Sequence, residues 1–309
     1  MSIPDFIKSL EKDRRFKQQI AALKYVPPMK PRYNKIFLSN QLRDVLKRRG
    51  IELFYSHQVE AINLIREGEN IVVMTPTASG KSLIYNIPVI EAIIENPEHK
   101  ALYIFPLKGL EQDQVKNLNE LFDAVMTPSP SSPIEGGEKG KNIIEAADIY
   151  KPFPLVGEGK GEGNKKSSTR KIKYPLCFGE IYDGDTSAYR RKKIREALPK
   201  VIFTNPDMLH LALNPFHKKW EGFFRNLRYV VIDEIHTYRG VFGSNVAHVI
   251  RRLRRICKYW GSHPQFIAAS ATIANPSELA QELTGLPFKV VDQSGAPHAG
   301  RYFVLGLSA

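Results

Sequence analysis

The sequence has 309 residues, 42% hydrophobic and 25% charged, values that suit a globular chain with a sizeable core and exclude a fibrous or wholly disordered one. No apolar run reaches the roughly 20 residues that span a bilayer, and "MSIPDFIKSLEKDRRFKQQ" at the N-terminus carries charges where a secretion signal needs an apolar stretch. Lys and Arg outnumber Asp and Glu by 45 to 32, a net charge of +13 that favours a polyanionic partner, while two cysteines, Cys177 and Cys257, are too few for a disulfide framework or a four-ligand zinc site and point to a reducing cytoplasm.

Residues 1–50 are polar and basic, with helical spacing broken at "YVPPMKPRY" (25–33), and read as a small N-terminal helical extension. "LSNQLRDVLKRRG" (38–50) predicts a helix with Ser39 or Asn40 at its N-cap, closed by Gly50. From residue 71 onward short β-branched runs alternate with longer amphipathic stretches. "IVVMT" (71–75), "ALYIF" (101–105), "VIFT" (201–204), "YVVID" (229–233), "QFIAA" (265–269) and "FKVV" (288–291) read as buried strands, with segments of helical spacing such as "GSNVAHVIRRLRRICKYW" (243–260) between several of them. This rhythm predicts an α/β fold, a parallel sheet with helices on both faces, whose ligands sit beyond the C-terminal strand ends. Residues 126–176, rich in Gly, Ser, Pro and Lys, interrupt it and read as a partly disordered insertion. The apolar stripe Val246, Val249 or Ile250, Leu253 and Ile256 or Cys257 turns the arginines of "RRLRR" (251–255) outward, which predicts a solvated face. "YRRKKIR" (189–195) and "KKSSTRKIK" (165–173) are candidate electrostatic contacts to a polyanion.

Two stretches carry chemistry. "TPTASGKS" (75–82) follows a strand and precedes the helix-like "SLIYNIPVIEAII", the context of a phosphate-binding loop, although Thr75 stands where G-x-x-x-x-G-K-[ST] has its first glycine. Gly80 lets the backbone approach phosphates, and the amides opening the next helix point at them. Lys81 offers a mobile point charge to the β- and γ-phosphates, and Ser82 a hydroxyl to Mg²⁺. "VVIDEIHTY" then sets Asp233 and Glu234 at a strand's C-terminal end, where an Asp holds Mg²⁺ and a neighbouring Glu orients and deprotonates water. Adjacent carboxylates repel unless a cation lies between them and phosphate. Each stretch alone has a structural alternative, a chance G-K-S at a helix start or an N-capping Asp; together they predict nucleotide hydrolysis.

The order of TPTASGKS, PLKGLEQDQ, TNPDML, DEIH and SAT resembles the first motor domain of superfamily 2 helicases, in which a loop opening with Thr or Ala is normal. The resemblance covers roughly residues 38–309 apart from the insertion; its motifs are specific together and weak singly. It implies a RecA-like domain over 51–309 that uses ATP and Mg²⁺. The nucleotide would be held by Thr75, Thr77, Ala78, Ser79, Gly80, Lys81, Ser82 and Leu83, with Lys81, Asp233 and Glu234 catalytic and Mg²⁺ on Ser82 and Asp233. "LFYSHQVEAI" (53–62) resembles the element that precedes this loop. Gln58 would read the adenine edge and Phe54 or Tyr55 would stack near the base, core packing being an equal alternative for both aromatics. His236 resembles the coupling histidine of the DExH group, and Ser270 and Thr272 the motif that links hydrolysis to domain movement. Pro106, Lys108, Gly184, Thr204, Asn205 and Asp207 resemble nucleic-acid contacts that position a strand without reading its sequence.

Together "YSHQ", "YDGDT", "TNPDML" and "DEIHTYRGVFGSNVAHVIRRLRR" look closest to the RecQ-related, YprA-like DNA helicases, a group with 3′-to-5′ polarity and often a C-terminal zinc-binding domain. The 37 residues from Ile273 to Ala309 are too few for a second motor domain of about 150 residues, and no "Q-x-x-G-R-x-G-R"-like stretch occurs. The resemblance therefore implies that the second motor domain, with its γ-phosphate arginine, belongs to a parent protein, and that this chain alone hydrolyses ATP poorly. The expected partners are single-stranded DNA, or RNA, and that second domain, with no membrane. An RNA helicase of the DExH type and a non-catalytic, nucleotide-responsive binding module remain the alternatives.

Overall fold

The computed structural model of this chain describes residues 3–13, 20–76, 79–106, 108–127 and 178–306. The N-terminal segment is less helical than its composition predicts. It contains α1 (Ile3–Lys12), β1 (Ile20–Val26), β2 (Tyr33–Asn34) and α2 (Asn40–Arg48). The Pro-rich run 27–31 holds the backbone extended, and a partner for that backbone comes from the far end of the chain. Met29 donates its amide to His298 and Arg32 to Gly295, both at 2.9 Å. The helix at α2 follows expectation: Ser39 accepts from the Leu42 amide, and Gly50 beyond its end adopts φ +76°.

β3 (Phe54–Tyr55) pairs antiparallel with β2 and leads into α3 (Ser56–Arg66). The central sheet then forms from β4 (Ile71–Met74), β5 (Lys100–Ile104), β6 (Gly179–Ile181), β7 (Val201–Thr204), β8 (Leu227–Ile232), β9 (Gln265–Ser270) and β10 (Lys289–Val291), all parallel, in the order β10-β4-β9-β8-β5-β7-β6. The six strands expected from sequence are all present. β6, which the sequence pattern does not reveal, is a three-residue edge strand whose Glu180 is held by Arg190 at 2.7 and 2.8 Å. β11 (Arg301–Gly306) lies outside this sheet and pairs antiparallel with β1.

Alternation along the strands divides the core in two. Ile71, Val73, Tyr103, Phe203, Val231 and Ile267 face one cluster, beneath α2, α3, α4 (Lys81–Glu95) and α5 (Lys108–Met126). Their neighbours Val72, Leu102, Ile202, Val230 and Phe266 face the other, beneath α6 (Ala188–Ala197), α7 (Gly240–Tyr259) and α8 (Pro276–Thr284). Strands buried on both faces read as continuous apolar runs, and this is why their sequence shows no polar alternation. Residues 128–176 of the expected insertion lie outside the described residues, as does "KKSSTRKIK". Among the described residues no helix is long and apolar enough to cross a membrane.

Candidate nucleotide and nucleic-acid site

Topology gathers the motif residues along one edge of the sheet. The carboxyl ends of the adjacent strands β4, β9 and β8 carry Thr75, Ser270 and Asp233; those of β5, β7 and β6 carry Pro106, Asn205 and the Tyr182–Thr186 turn. The chain leaves β4 through α4 and arrives at β5, with β8 and β9 later filling the gap between those two strands. Such a gap is where ligands enter an open α/β sheet.

The phosphate loop is held closed by its own polar groups. Thr75 is fully buried and its hydroxyl lies 2.6 Å from that of Ser79. Lys81 donates to the Thr75 carbonyl at 3.0 Å and to the Ser270 carbonyl at 3.1 Å, tying loop, helix α4 and strand β9 together. Ser82, half-buried, is the second residue of α4, and the Leu83 amide donates to the Gly80 carbonyl at 3.2 Å. Thr77 and Ala78 fall outside the described residues.

Gly80 caps α4 in the left-handed region at φ +75°, where a Cβ would lie 2.4 Å from Gln58 Nε2. Gln58 is itself buried: Nε2 donates to the Gly80 carbonyl at 3.1 Å and Oε1 accepts from the Tyr55 amide at 2.9 Å. Its amide thus faces the loop, with one Nε2 hydrogen and one Oε1 lone pair left over for a base edge. Gly80→Ala combines left-handed strain of about 1–2 kcal/mol with displacement of this amide. Calorimetry is expected to show a melting temperature a few degrees lower and nucleotide affinity weakened about tenfold or more.

Two neighbours of the loop carry no distinct signal in the motif pattern. His57, fully buried, donates from Nε2 to the Ser79 carbonyl and accepts the Gly295 amide on Nδ1, each at 3.1 Å. Burial lowers its pKa, in keeping with the neutral ring that this bonding requires. Tyr85, one turn beyond Lys81, donates to Asp233 Oδ2 at 3.3 Å, and burial raises its pKa well above the ordinary phenol value. Helical spacing from Lys81 is the available signal for Tyr85; His57 has none beyond its place in "YSHQ".

Asp233 is 9% exposed, and burial pushes its carboxyl up to about 6 against the opposing pull of the Glu234 amide, which donates to Oδ1 at 2.9 Å. The Glu234 charge raises it further and the Lys81 charge lowers it, so these three groups share one electrostatic neighbourhood. Glu234 has φ +49°, a left-handed conformation rare outside glycine that folds the chain into the 3₁₀ turn Ile235–Thr237. That turn brings His236 Nδ1 within 3.2 Å of both Glu234 Oε2 and the Ala271 amide. Ser270 is fully buried, with its hydroxyl unpartnered among the described residues, whereas Thr272 is exposed.

Several expectations need correction. Phe54 is 4% exposed and lies in the core, so it is not a base-stacking residue; Tyr55 is half-buried and stacks between Tyr33 and His57. Thr204 is fully buried and donates its hydroxyl to the Tyr182 carbonyl at 2.8 Å, which removes it as a side-chain phosphate contact. Asn205 caps the turn Pro206–Met208 by accepting the Met208 amide, while Asp207 and Gly184 are exposed and Pro106 half-buried. Gly184 belongs to a turn that Asp183 organises by accepting the amides of Asp185 and Thr186. Lys108 opens α5.

A parallel sheet with a phosphate loop after β4 and an Asp-Glu pair after β8, one strand apart at the same sheet edge, defines a RecA-like nucleoside-triphosphatase motor domain. The chain belongs to the DEAD/DEAH box helicase family, whose model matches residues 55–151 and 163–279. It is 45% identical over 267 residues to an uncharacterized ATP-dependent helicase, YprA, of Bacillus subtilis, over 86% of this chain and 29% of that protein. It is 32% identical to the ATP-dependent helicase HRQ1 of Saccharomyces cerevisiae, over 98% of this chain and 24% of that one. The DUF1998 helicase MrfA, solved bound to DNA and AMPPNP, matches 98% of this chain at 38% identity with a TM-score of 0.75, the match covering 36% of that chain. The chain thus spans about a quarter to a third of the length of these relatives.

Proposed function

We propose that this chain is the ATP-binding half of an ATP-driven DNA helicase motor, working in a reducing cytoplasm. The observation that carries the reading is the Lys81 ammonium, which bridges the phosphate loop and the end of β9 through Thr75 and Ser270, beside the Asp233–Glu234 pair. In this reading Lys81 and the loop amides bind the triphosphate, and Glu234 orients and deprotonates water. His236 relays the state of Glu234 to Ser270 and Thr272. DNA is favoured over RNA because the relative solved at 38% identity is bound to DNA.

The site suits Mg²⁺. Asp233 is a desolvated carboxylate whose raised pKa reflects a charge poorly compensated by protein groups. Among the described residues no cluster of three His, Cys, Asp or Glu side chains surrounds it. A hard cation held by Ser82 and Asp233 would therefore complete its shell with phosphate oxygens and water, neutralising phosphate charge when bound. On the nucleic-acid side, the segments after β5, β6 and β7 would touch the strand mainly through backbone groups, since Thr204 and Asn205 use their side chains internally.

The test is ATPase rate with and without single-stranded DNA, on this chain and on one extended through a second motor domain. Stimulation by about 10³-fold or more in the extended chain alone is expected, because an arginine supplied by another domain is worth that much in related motors. Full stimulation of the short chain would refute the half-motor reading.

A further inference from the structure

Helix α7 carries Arg251, Arg252, Arg254, Arg255 and Lys258 within about two turns, and among the described residues no carboxylate pairs with any of them. Other surface helices of the same chain are laced internally: Lys192 with Glu196 on α6, and Arg225 with Glu221 on the short helix Glu221–Arg225. Like charges three and four residues apart cost a helix about 0.2–0.5 kcal/mol per pair. The helix dipole offsets this only for a cation in the last turn, here Lys258. Two of the five have a structural task. Arg251 donates to the Glu282 carbonyl at 2.9 Å and Arg254 to the Thr284 carbonyl at 2.8 Å, both at the C-terminal end of α8. Arg252, Arg255 and Lys258 have none.

These three line an open groove of about 980 Å³ beside α7. It begins at Pro206 and Asp207, the turn after β7, and reaches His263 and Pro264 before β9, at the opposite edge of the sheet. The exposed imidazoles of His210, His248 and His263 also line it, and Asp207 is its one carboxylate among the described residues. From Asn245 to Lys258 the helix runs about 20 Å, on the order of six phosphates at the 3.4 Å rise of a strand in duplex DNA.

We propose that this groove is a second nucleic-acid track, which binds the phosphate backbone of the strand flanking the motor site. The inference rests on the helicase reading for the end at which the groove starts, and on its own unpaired cations for what fills it. A phosphate backbone fits better than an acidic protein segment because the cations follow one another along the groove, next to the turn assigned to nucleic acid, on a chain of net charge +13. Their contacts are to phosphate, so they add affinity and salt dependence without sequence preference.

The test is fluorescence anisotropy on this chain with single-stranded oligothymidylates of about 10 and about 30 nucleotides and a duplex bearing a single-stranded tail, across a salt series. The variants are R252Q/R255Q/K258Q and its all-glutamate counterpart, with melting temperature and nucleotide affinity as folding controls. Both variants are expected to bind the 10-mer as the wild type does. They should lose about tenfold or more on the longer probes, with the salt slope reduced by about 2. A larger loss on the 30-mer places single strand in the groove and a larger loss on the duplex places duplex there; either supports the track. Unchanged length dependence and salt slope would overturn it while leaving the helicase reading intact. Equal binding of poly-glutamate would reassign the groove to an acidic protein segment. Failure of the wild type to bind any oligonucleotide would overturn the helicase reading as well.

Discussion

Lys81→Ala is expected to abolish measurable Mg·ATP binding while leaving the fold in place. The ammonium makes two hydrogen bonds, to the carbonyls of Thr75 and Ser270, at a position that is half-buried. Water can reach those carbonyls once the side chain is gone, so the stability cost is about 1 kcal/mol, the usual net worth of such bonds. Binding depends on the same ammonium quite differently. A triphosphate brings negative charge to a loop whose other donors are neutral amides and hydroxyls, and charge-assisted bonds are worth roughly twice neutral ones. Losing two of them, at about 1.5–3 kcal/mol each, weakens binding by about 10²–10⁴-fold. Isothermal calorimetry should lose its signal while thermal melting without nucleotide shifts by only a few degrees. Unchanged Mg·ATP affinity would show that the nucleotide does not sit on this loop.

The legible parts of this chain are those where local chemistry and tertiary context agree. "IVVMT" followed by "TPTASGKS" identifies a strand, a loop and a helix because a phosphate loop needs all three in order, and β4, the loop and α4 are there. The strand that precedes Asp233 is equally plain, being apolar on both faces. What the sequence hides is decided by distant partners. Residues 20–26 form a strand only because 301–306 lie beside them, and no local periodicity records a partner so far along the chain. β6 is too short to show a period. Thr204 has the look of a phosphate ligand in sequence, but it is buried against Tyr182, and Phe54, equally suited to stacking and to packing, packs. In "RRLRR" the outward direction is right, but Arg251 and Arg254 cap α8 where a solvated face is expected.

Glu234→Gln is expected to leave Mg·ATP binding near the wild-type level in the full-length protein and to lower kcat by about 10²–10⁴-fold, the usual worth of a positioned general base. The substitution keeps the side chain's length and shape, and leaves the residue 234 amide free to donate to Asp233 as before, since that bond uses the backbone. The strained φ of +49° also persists, because neither residue is a glycine. What disappears is the group that takes a proton from water. A second consequence runs through His236. Its Nδ1 lies 3.2 Å from Glu234 Oε2 and 3.2 Å from the Ala271 amide, and one nitrogen cannot serve both at once. Accepting the amide requires a bare Nδ1, whereas pairing with the carboxylate requires a protonated one. A glutamine removes the charge that favours the second state, so the ring should settle on Ala271 next to Ser270 and Thr272. Single-turnover hydrolysis should therefore fall far more than nucleotide affinity, and DNA binding should lose part of its response to ATP. Retained hydrolysis would assign the proton to another base and leave Glu234 without a catalytic role.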